Sequence, residues 1–315
     1  MVEVEETLHE TKTTVPEMEG YDDATYGRAF AEVYDDWYGD DPRLDDLVAT
    51  VARLASSADG AVIELGAGTG RLTAPIAGLL PDRRVIALDS SIEMLDRLAA
   101  RPGCERVERV HGDMIDHLPD EGLSVVLASY NTVFNLTDRE RQTLLLRRVA
   151  AALGPGGHLA IETEPPLDDE EGSSVTVRHM TADTVVLAVS RQLGDQRLEG
   201  HFIELRDSAD TRLRPWSIRW FDHRELVALA DEAGLSLVHH GPAWPGSTGP
   251  FEVPGSPDPT HLFTRGGCGG SRLGDSVGHR LALRVPPARS AESEISRSET
   301  KPRACPLRCL LRSLF

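Results

Sequence analysis

The chain has 315 residues, 40% of them hydrophobic, which is room for one large domain with its own core. Its 33 basic and 51 acidic residues leave a net charge of −18, which argues against nucleic acid or an anionic membrane as a partner. No apolar run approaches the roughly 18 residues of a membrane helix, the acidic start MVEVEETLHE lacks a signal-peptide core, and four cysteines make no disulfide framework, so a cytoplasmic location is expected.

Residues 1–19 hold six Glu and one Lys and are expected to be unstructured. Over residues 22–38, Tyr26, Phe30, Tyr34 and Trp37 or Tyr38 recur at helical spacing and predict one helix with an aromatic face. Asp41 followed by Pro42 reads as an N-cap opening a helix through residue 55, with Leu44, Leu47, Val48, Val51 and Leu54 as its apolar stripe.

From residue 60 strand and helix alternate. Ala61–Leu65 is a short apolar strand running into glycines, followed by a helix over 71–80 and a strand over 84–88 ending at Asp89. Ser90 with Glu93 reads as a capping box for a helix to residue 100. Residues 106–111 and 123–129 are the next strands, the second apolar enough to be buried on both faces. Thr137 with Glu140 reads as another capping box, for a helix that Gly154 and Pro155 end. Residues 158–163 are a fifth strand. This alternation predicts an α/β fold with a doubly wound, mainly parallel sheet, whose ligands bind at the carboxyl ends of the strands.

The pattern changes after Glu164. SVTVRHM, TVVLAVSR, LEGHFIEL and RPWSIRW alternate as antiparallel strands, an insertion over about 172–221 that would form a lid, a dimer surface or both. Asp222 with Glu225 caps a helix through residue 233, and Gly234 closes it. Residues 235–239 and 260–264 supply the last two strands. Residues 265–315 carry 10 basic and 4 acidic residues among Gly, Pro and Ser, and are expected to be a disordered basic tail. Within it Cys305 and Cys309 make at most half a zinc site.

The most informative segment is VIELGAGTGRL, residues 62–72. A strand enters Gly66-Ala67-Gly68-Thr69-Gly70 and a helix opens directly after, so the backbone turns sharply and presents free N–H groups to a ligand. The dinucleotide fingerprint G-x-G-x-x-G fails here at its third glycine. Glu64, Gly66, Gly68 and Gly70 instead resemble motif I, E/D-x-G-x-G-x-G, of the class I S-adenosylmethionine-dependent methyltransferases. Asp89 resembles the acidic residue of that family that binds both ribose hydroxyls, followed by Ser90 and Met94 in the turn against the adenine. Gly112-Asp113-Met114 resembles its G-D motif, whose Asp accepts from the adenine amino group, and residues 153–157 resemble its L-x-P-G-G turn.

The resemblance spans residues 26–264 and implies a seven-stranded Rossmann-like methyltransferase domain over 20–264 with S-adenosylmethionine as cofactor. The inserted strands and Tyr-rich N-terminal segment resemble small-molecule members, dTDP-aminosugar N-methyltransferases among them. Their N-terminal lid over the cofactor would here carry Tyr26, Tyr34 and Tyr38. Ser129, after the fourth strand, is a candidate cofactor residue, and the segment 129–135 should border the transferring methyl, with Tyr130, Asn131 and Asn135 placed to orient the acceptor. Glu162 and Glu164 end the fifth strand and are candidates to bind an amine or act as base. His179, His201 and His223 are further candidate bases, and no metal-ligand spacing is visible. The expectation is methyl transfer to nitrogen or oxygen of a small molecule, a natural product or sugar among the candidates. The alternatives are an NAD(P)-dependent oxidoreductase on a similar sheet, a non-catalytic cofactor-binding scaffold or dimerisation protein, or an enzyme that uses the same pocket for another reaction; a homodimer through the inserted antiparallel strands is a candidate assembly.

Overall fold

A computed structural model describes residues 18–39, 41, 43–164, 172–207, 210–245 and 260–265. The expectations for the N-terminal 17 residues, the basic tail with Cys305 and Cys309, and Pro42 therefore lie outside the described residues.

Two short helices come first, α1 (Thr25–Phe30) and α2 (Tyr34–Tyr38), then α3 (Arg43–Ser56). The single helix predicted over 22–38 is broken at residues 31–33. On the two sides of that break, Phe30 is buried in the core while Tyr34 lines a pocket. A chain of β1 (Ala61–Leu65), α4 (Thr73–Leu79), β2 (Val85–Asp89), α5 (Ile92–Ala100), β3 (Glu108–His111), β4 (Leu123–Ala128), α6 (Arg139–Ala152) and β5 (Leu153–Glu162) follows. Every residue of β1 and β4 is buried, because helices cover both faces of a parallel sheet. Ile63, Leu65, Val126 and Ala128 pack on one face, and Val62, Val125 and Leu127 on the other.

Three capping details differ from the sequence reading. Ser91, not Ser90, caps α5 by accepting from Met94 N–H at 3.3 Å. Asp138, not Thr137, caps α6 by accepting from Arg141 N–H at 2.7 Å. In both, the side chain that reaches the third N–H of its helix belongs to the neighbouring residue with extended backbone. The left-handed glycine after α6 is Gly156 (φ 73°) rather than Gly154, since Leu153 already pairs with Leu123. Asp222 caps the last helix as expected, accepting from Glu225 N–H at 2.8 Å.

β6 (Ser173–Met180), β7 (Thr184–Gly194), β8 (Arg197–Arg206) and β9 (Arg212–Arg219) form a separate antiparallel meander. The chain then returns through α7 (His223–Glu232), β10 (Leu235–Gly241) and β11 (Thr260–Arg265). The main sheet has seven strands in the order β10-β11-β5-β4-β1-β2-β3, with β11 antiparallel to both neighbours. The α/β Rossmann-like expectation is met. Strand order reverses between β1 and β4, and the crevice at their carboxyl ends is where such sheets bind ligands. Among the described residues no helix is long and apolar enough to cross a membrane.

One face of the meander is built into the core. Val186, Ala188, Phe202 and Trp216 are buried there. Gly200 pairs across the ladder with Trp216, and a Cβ at Gly200 would lie 2.6 Å from the indole. The N-terminal helices dock on the same aromatic layer. Phe30 stacks on Tyr26 at 4.3 Å and meets Phe202 edge-on at 5.7 Å, geometries favoured by ring quadrupoles.

Candidate active site

The three loop glycines do three different things. Gly66 (φ 62°) leaves room for Thr132, whose methyl would lie 2.7 Å from a Cβ. Gly68 (φ 54°) faces open space, its would-be Cβ no nearer than 4.0 Å to Met94 and Tyr34. Gly70 (φ 81°) packs the loop against α5, where a Cβ would meet Leu98 at 2.8 Å. Of the expected cofactor residues, Gly70 alone does not line the pocket. Its requirement comes from packing, which the motif does not distinguish from ligand approach.

Tyr26, Tyr34, Glu64, Gly66, Ala67, Gly68, Thr69, Asp89, Ser90, Met94, Gly112, Asp113, Met114 and Ser129 all line one pocket. Asp89 sits at the end of β2, its two carboxylate oxygens accepting from Gly68 N–H and Ser91 N–H, each at 2.8 Å. Burial holds its pKa up against those two donors. Glu64 is buried at the end of β1 and accepts from the Thr73 hydroxyl. Burial raises it to about 8. Asp113 accepts from Ile115 and Asp116 N–H at 2.8 and 3.0 Å, and pairs with Arg141 at 2.7 Å. The same Arg141 grips both carboxylate oxygens of Asp23 at 3.0 and 2.9 Å.

Thr69 lines the pocket, but its hydroxyl is engaged by Asp35, which does not. That hydroxyl donates to Asp35 at 2.6 Å, while Arg101 donates to Thr69 O at 2.7 Å and to Asp35 at 2.6 Å. With Ser90 Oγ donating to Asp23 O at 2.6 Å, the N-terminal segment is held over the pocket at both ends. Gly27 fits there because a Cβ would meet Ser91 at 2.4 Å.

After β4, Tyr130 (φ 49°) and Asn131 (φ 60°) are successive non-glycine residues in the left-handed region, a strain of about 1–3 kcal/mol each. The β5 end holds them there. Asn131 N–H donates to Glu162 O at 3.1 Å, and Asn131 Oδ1 accepts from Glu164 N–H at 2.7 Å. Tyr130 N–H donates to the Glu162 carboxylate at 3.3 Å. Tyr130 and Asn131 line the pocket, but neither Glu164 nor Glu162 does. The Glu162 carboxylate and the Glu164 N–H both serve the scaffold of this turn. The Tyr130 hydroxyl donates to Asp41 at 2.9 Å and accepts from Arg71 at 3.2 Å. Burial, then the negative Glu162 and Asp41, push its pKa well up, so it is a positioning donor rather than a base.

Arg71 is the residue the motif reading passed over. Its guanidinium lies 5.1 Å from the Tyr130 ring centroid and 5.8 Å from that of Tyr34. Nε and Nη1 are buried without a hydrogen-bond partner, although buried guanidinium donors require one. The pocket continues past Asn135 and Leu136 to Trp216 and Ile218 of the meander. None of His179, His201 and His223 lines it. His223 instead meets His240 and His261, a grouping of three separate elements that spacing along the chain did not show.

A protein-family model described as a methyltransferase domain matches residues 62–157. Among curated relatives, the cypemycin N-terminal methyltransferase of a Streptomyces species is 36% identical over 107 residues, 34% of this chain and 43% of the relative. The trans-aconitate 2-methyltransferase of Paracidovorax citrulli is 32% identical over 143 residues, 45% of this chain and 53% of the relative. The chain thus spans about half the length of these curated relatives. Among solved structures, the CcbJ methyltransferase from Streptomyces caelestis is 30% identical with a TM-score of 0.69, covering 78% of this chain and 100% of that one.

Proposed function

Because the chain belongs to the class I S-adenosylmethionine-dependent methyltransferases, we propose that it transfers a methyl group to a nitrogen or oxygen of a small molecule. The single observation that carries this reading is the continuity of the pocket. It runs from the glycine loop and Asp89 to a polar and aromatic region lined by Tyr130, Asn131, Asn135 and Trp216.

The residues present fit the cofactor. Asp89 offers two acceptors where a ribose diol needs them, and Met94 and Met114 offer apolar, polarisable walls for a base. The unpaired donors of Arg71 suit the cofactor's carboxylate. Bound S-adenosylmethionine supplies an electrophilic methyl on a sulfonium. The protein's own part is alignment and exclusion of water, and alignment alone is worth about 7–11 kcal/mol. The strained turn at Tyr130 and Asn131 fixes the acceptor side, and the docked N-terminal segment closes the other.

The reading favours nitrogen over oxygen. A hydroxyl acceptor usually needs a base, yet among the described pocket residues there is no histidine, Asp89 is held by two backbone N–H groups and Glu64 by the Thr73 hydroxyl. Asp23 and Asp113 are tied to Arg141, and the Tyr130 phenol stays protonated. An amine need only arrive neutral. The curated relatives include a protein named as an N-terminal methyltransferase.

We further propose that residues 20–264 act as one unit, with 172–221 as its insertion, and that a second copy covers the outer face of the meander. Val175, Val177, Leu205 and Leu213 are exposed there, and Val177, Leu187, Ile203 and Leu213 form one row across all four strands. Apolar surface of this kind marks interfaces.

Calorimetric titration with S-adenosylmethionine and S-adenosylhomocysteine, with NADH as control, tests the central reading. Micromolar binding of the first two alone supports it, followed by turnover on amine acceptors before hydroxyl acceptors. Folded protein that binds NADH and neither of the others would overturn it.

A further inference from the structure

Three histidines converge outside the pocket. His223 is the first residue of α7, His240 lies on β10, and His261 lies on β11. His240 and His261 are direct partners across the antiparallel ladder, so their side chains leave the sheet on the same face, where partners of this kind have Cβ atoms about 5 Å apart. The start of α7 brings His223 onto that pair. Its Nδ1 is 3.1 Å from His261 Nε2, and one ring nitrogen from each of the three lies within 4.8 Å of the others. The His223 ring is 3.8 Å from that of His240 and 5.3 Å from that of His261.

We propose that His223, His240 and His261 form a binding site for a divalent transition-metal ion, Zn²⁺ foremost. Imidazole suits Zn²⁺, Co²⁺ and Ni²⁺. Zn–N bonds of about 2.0–2.1 Å in a tetrahedron place ligand nitrogens roughly 3.3 Å apart. The His223–His261 pair, hydrogen-bonded to each other at 3.1 Å, already has nearly that spacing, and the ion would take the place of the shared proton. The third nitrogen comes within range by rotation of the His240 ring, which is only half-buried. His261 is 2% exposed and fixes one ligand rigidly. Three neutral ligands leave a fourth position for water.

The place of the site says what the ion does. α7 follows β9 within four residues, and β9 carries Trp216 and Ile218 of the pocket wall. An ion here ties the exit of the inserted sheet to the edge of the main sheet. None of the three histidines lines the pocket, so the ion acts as a clamp and takes no part in the chemistry. This inference is independent of the proposed methyl transfer.

The test uses the untagged full chain, stripped with a chelator and titrated with Zn²⁺ by calorimetry and Co²⁺ by absorption. One ion per chain is expected, with cobalt d–d bands and no sulfur-to-metal charge-transfer band. Losing even an outer partner of a metal site lowers affinity about 10–100-fold, so His240→Ala and His261→Asn should each lower it at least that much. Both variants should keep the wild-type circular dichroism spectrum and a cooperative melt without metal, which shows that they fold. Zn²⁺ should raise the melting temperature of the wild type and not that of His240→Ala. Undiminished Zn²⁺ affinity in His240→Ala, or a charge-transfer band marking cysteine thiolates as the ligands, would overturn the proposal.

Discussion

The Thr69 hydroxyl donates to Asp35 at 2.6 Å, joining the glycine loop to the second N-terminal helix. Arg101 braces both partners, through Asp35 at 2.6 Å and the Thr69 carbonyl at 2.7 Å. The loop and the lid over it therefore share one polar latch. A hydrogen bond to a charged group contributes about 1.5–3 kcal/mol, and the half-exposed Asp35 places this one at the lower end. Asp35→Ala is expected to weaken S-adenosylhomocysteine binding roughly tenfold, consistent with about 1.4 kcal/mol, with faster amide exchange over 25–38. Unchanged exchange would mean that the aromatic stack alone holds the segment.

Asp89 is the acceptor for two backbone donors of the pocket floor as well as the candidate ribose partner. Asp89→Ala should weaken cofactor binding by about 1–3 kcal/mol, because buried donors lose their charged partner. Titration calorimetry measures it, and equal affinity would misplace the ribose.

Arg71 separates two halves of the ligand. Arg71→Ala is expected to weaken S-adenosylhomocysteine by about 1.5–3 kcal/mol, while 5′-methylthioadenosine, which lacks the amino-acid moiety, binds as to the wild type. Equal losses for both would show that Arg71 only props Tyr34 and Tyr130.

Glu64 makes the stability of the cofactor-free protein depend on pH. Its folded-state pKa is about 8, above the ordinary value of 4.5. Between the two the unfolded chain binds fewer protons, so stability falls as pH rises through about 8. Melting temperature should drop from pH 6 to pH 8.5, and Glu64→Gln, which keeps a partner for Thr73, should flatten that slope. A slope that persists in the variant would assign it elsewhere.

The meander's outer face gives a test of assembly. The wild type should elute as a dimer in size-exclusion chromatography with light scattering. Val177→Asp should be a monomer that keeps the wild-type circular dichroism spectrum, since Val177 is 56% exposed. A monomeric wild type would remove the proposed interface.

Local chemistry and periodicity by themselves determined the order of strands and helices, the glycine loop, the acidic ends at Glu64 and Asp89, and the inserted antiparallel strands. These features are written over a few consecutive residues: a buried strand is apolar throughout, and a loop that turns under a ligand needs glycine. Tertiary structure decided what depends on residues far apart in the chain. Gly70 looks like a ligand glycine until Leu98 is seen against it. Glu164 reads as an isolated acid until its N–H is found holding Asn131. Trp216 enters the pocket through sheet pairing that no short motif encodes, and Arg71, directly after the glycine loop, shows its unpaired buried donors only in the fold. The three histidines, 17 and 21 residues apart in sequence, meet only because β10 and β11 pair and α7 begins beside them. Spacing along the chain reports contacts within an element, and only the folded topology brings separate elements to one point.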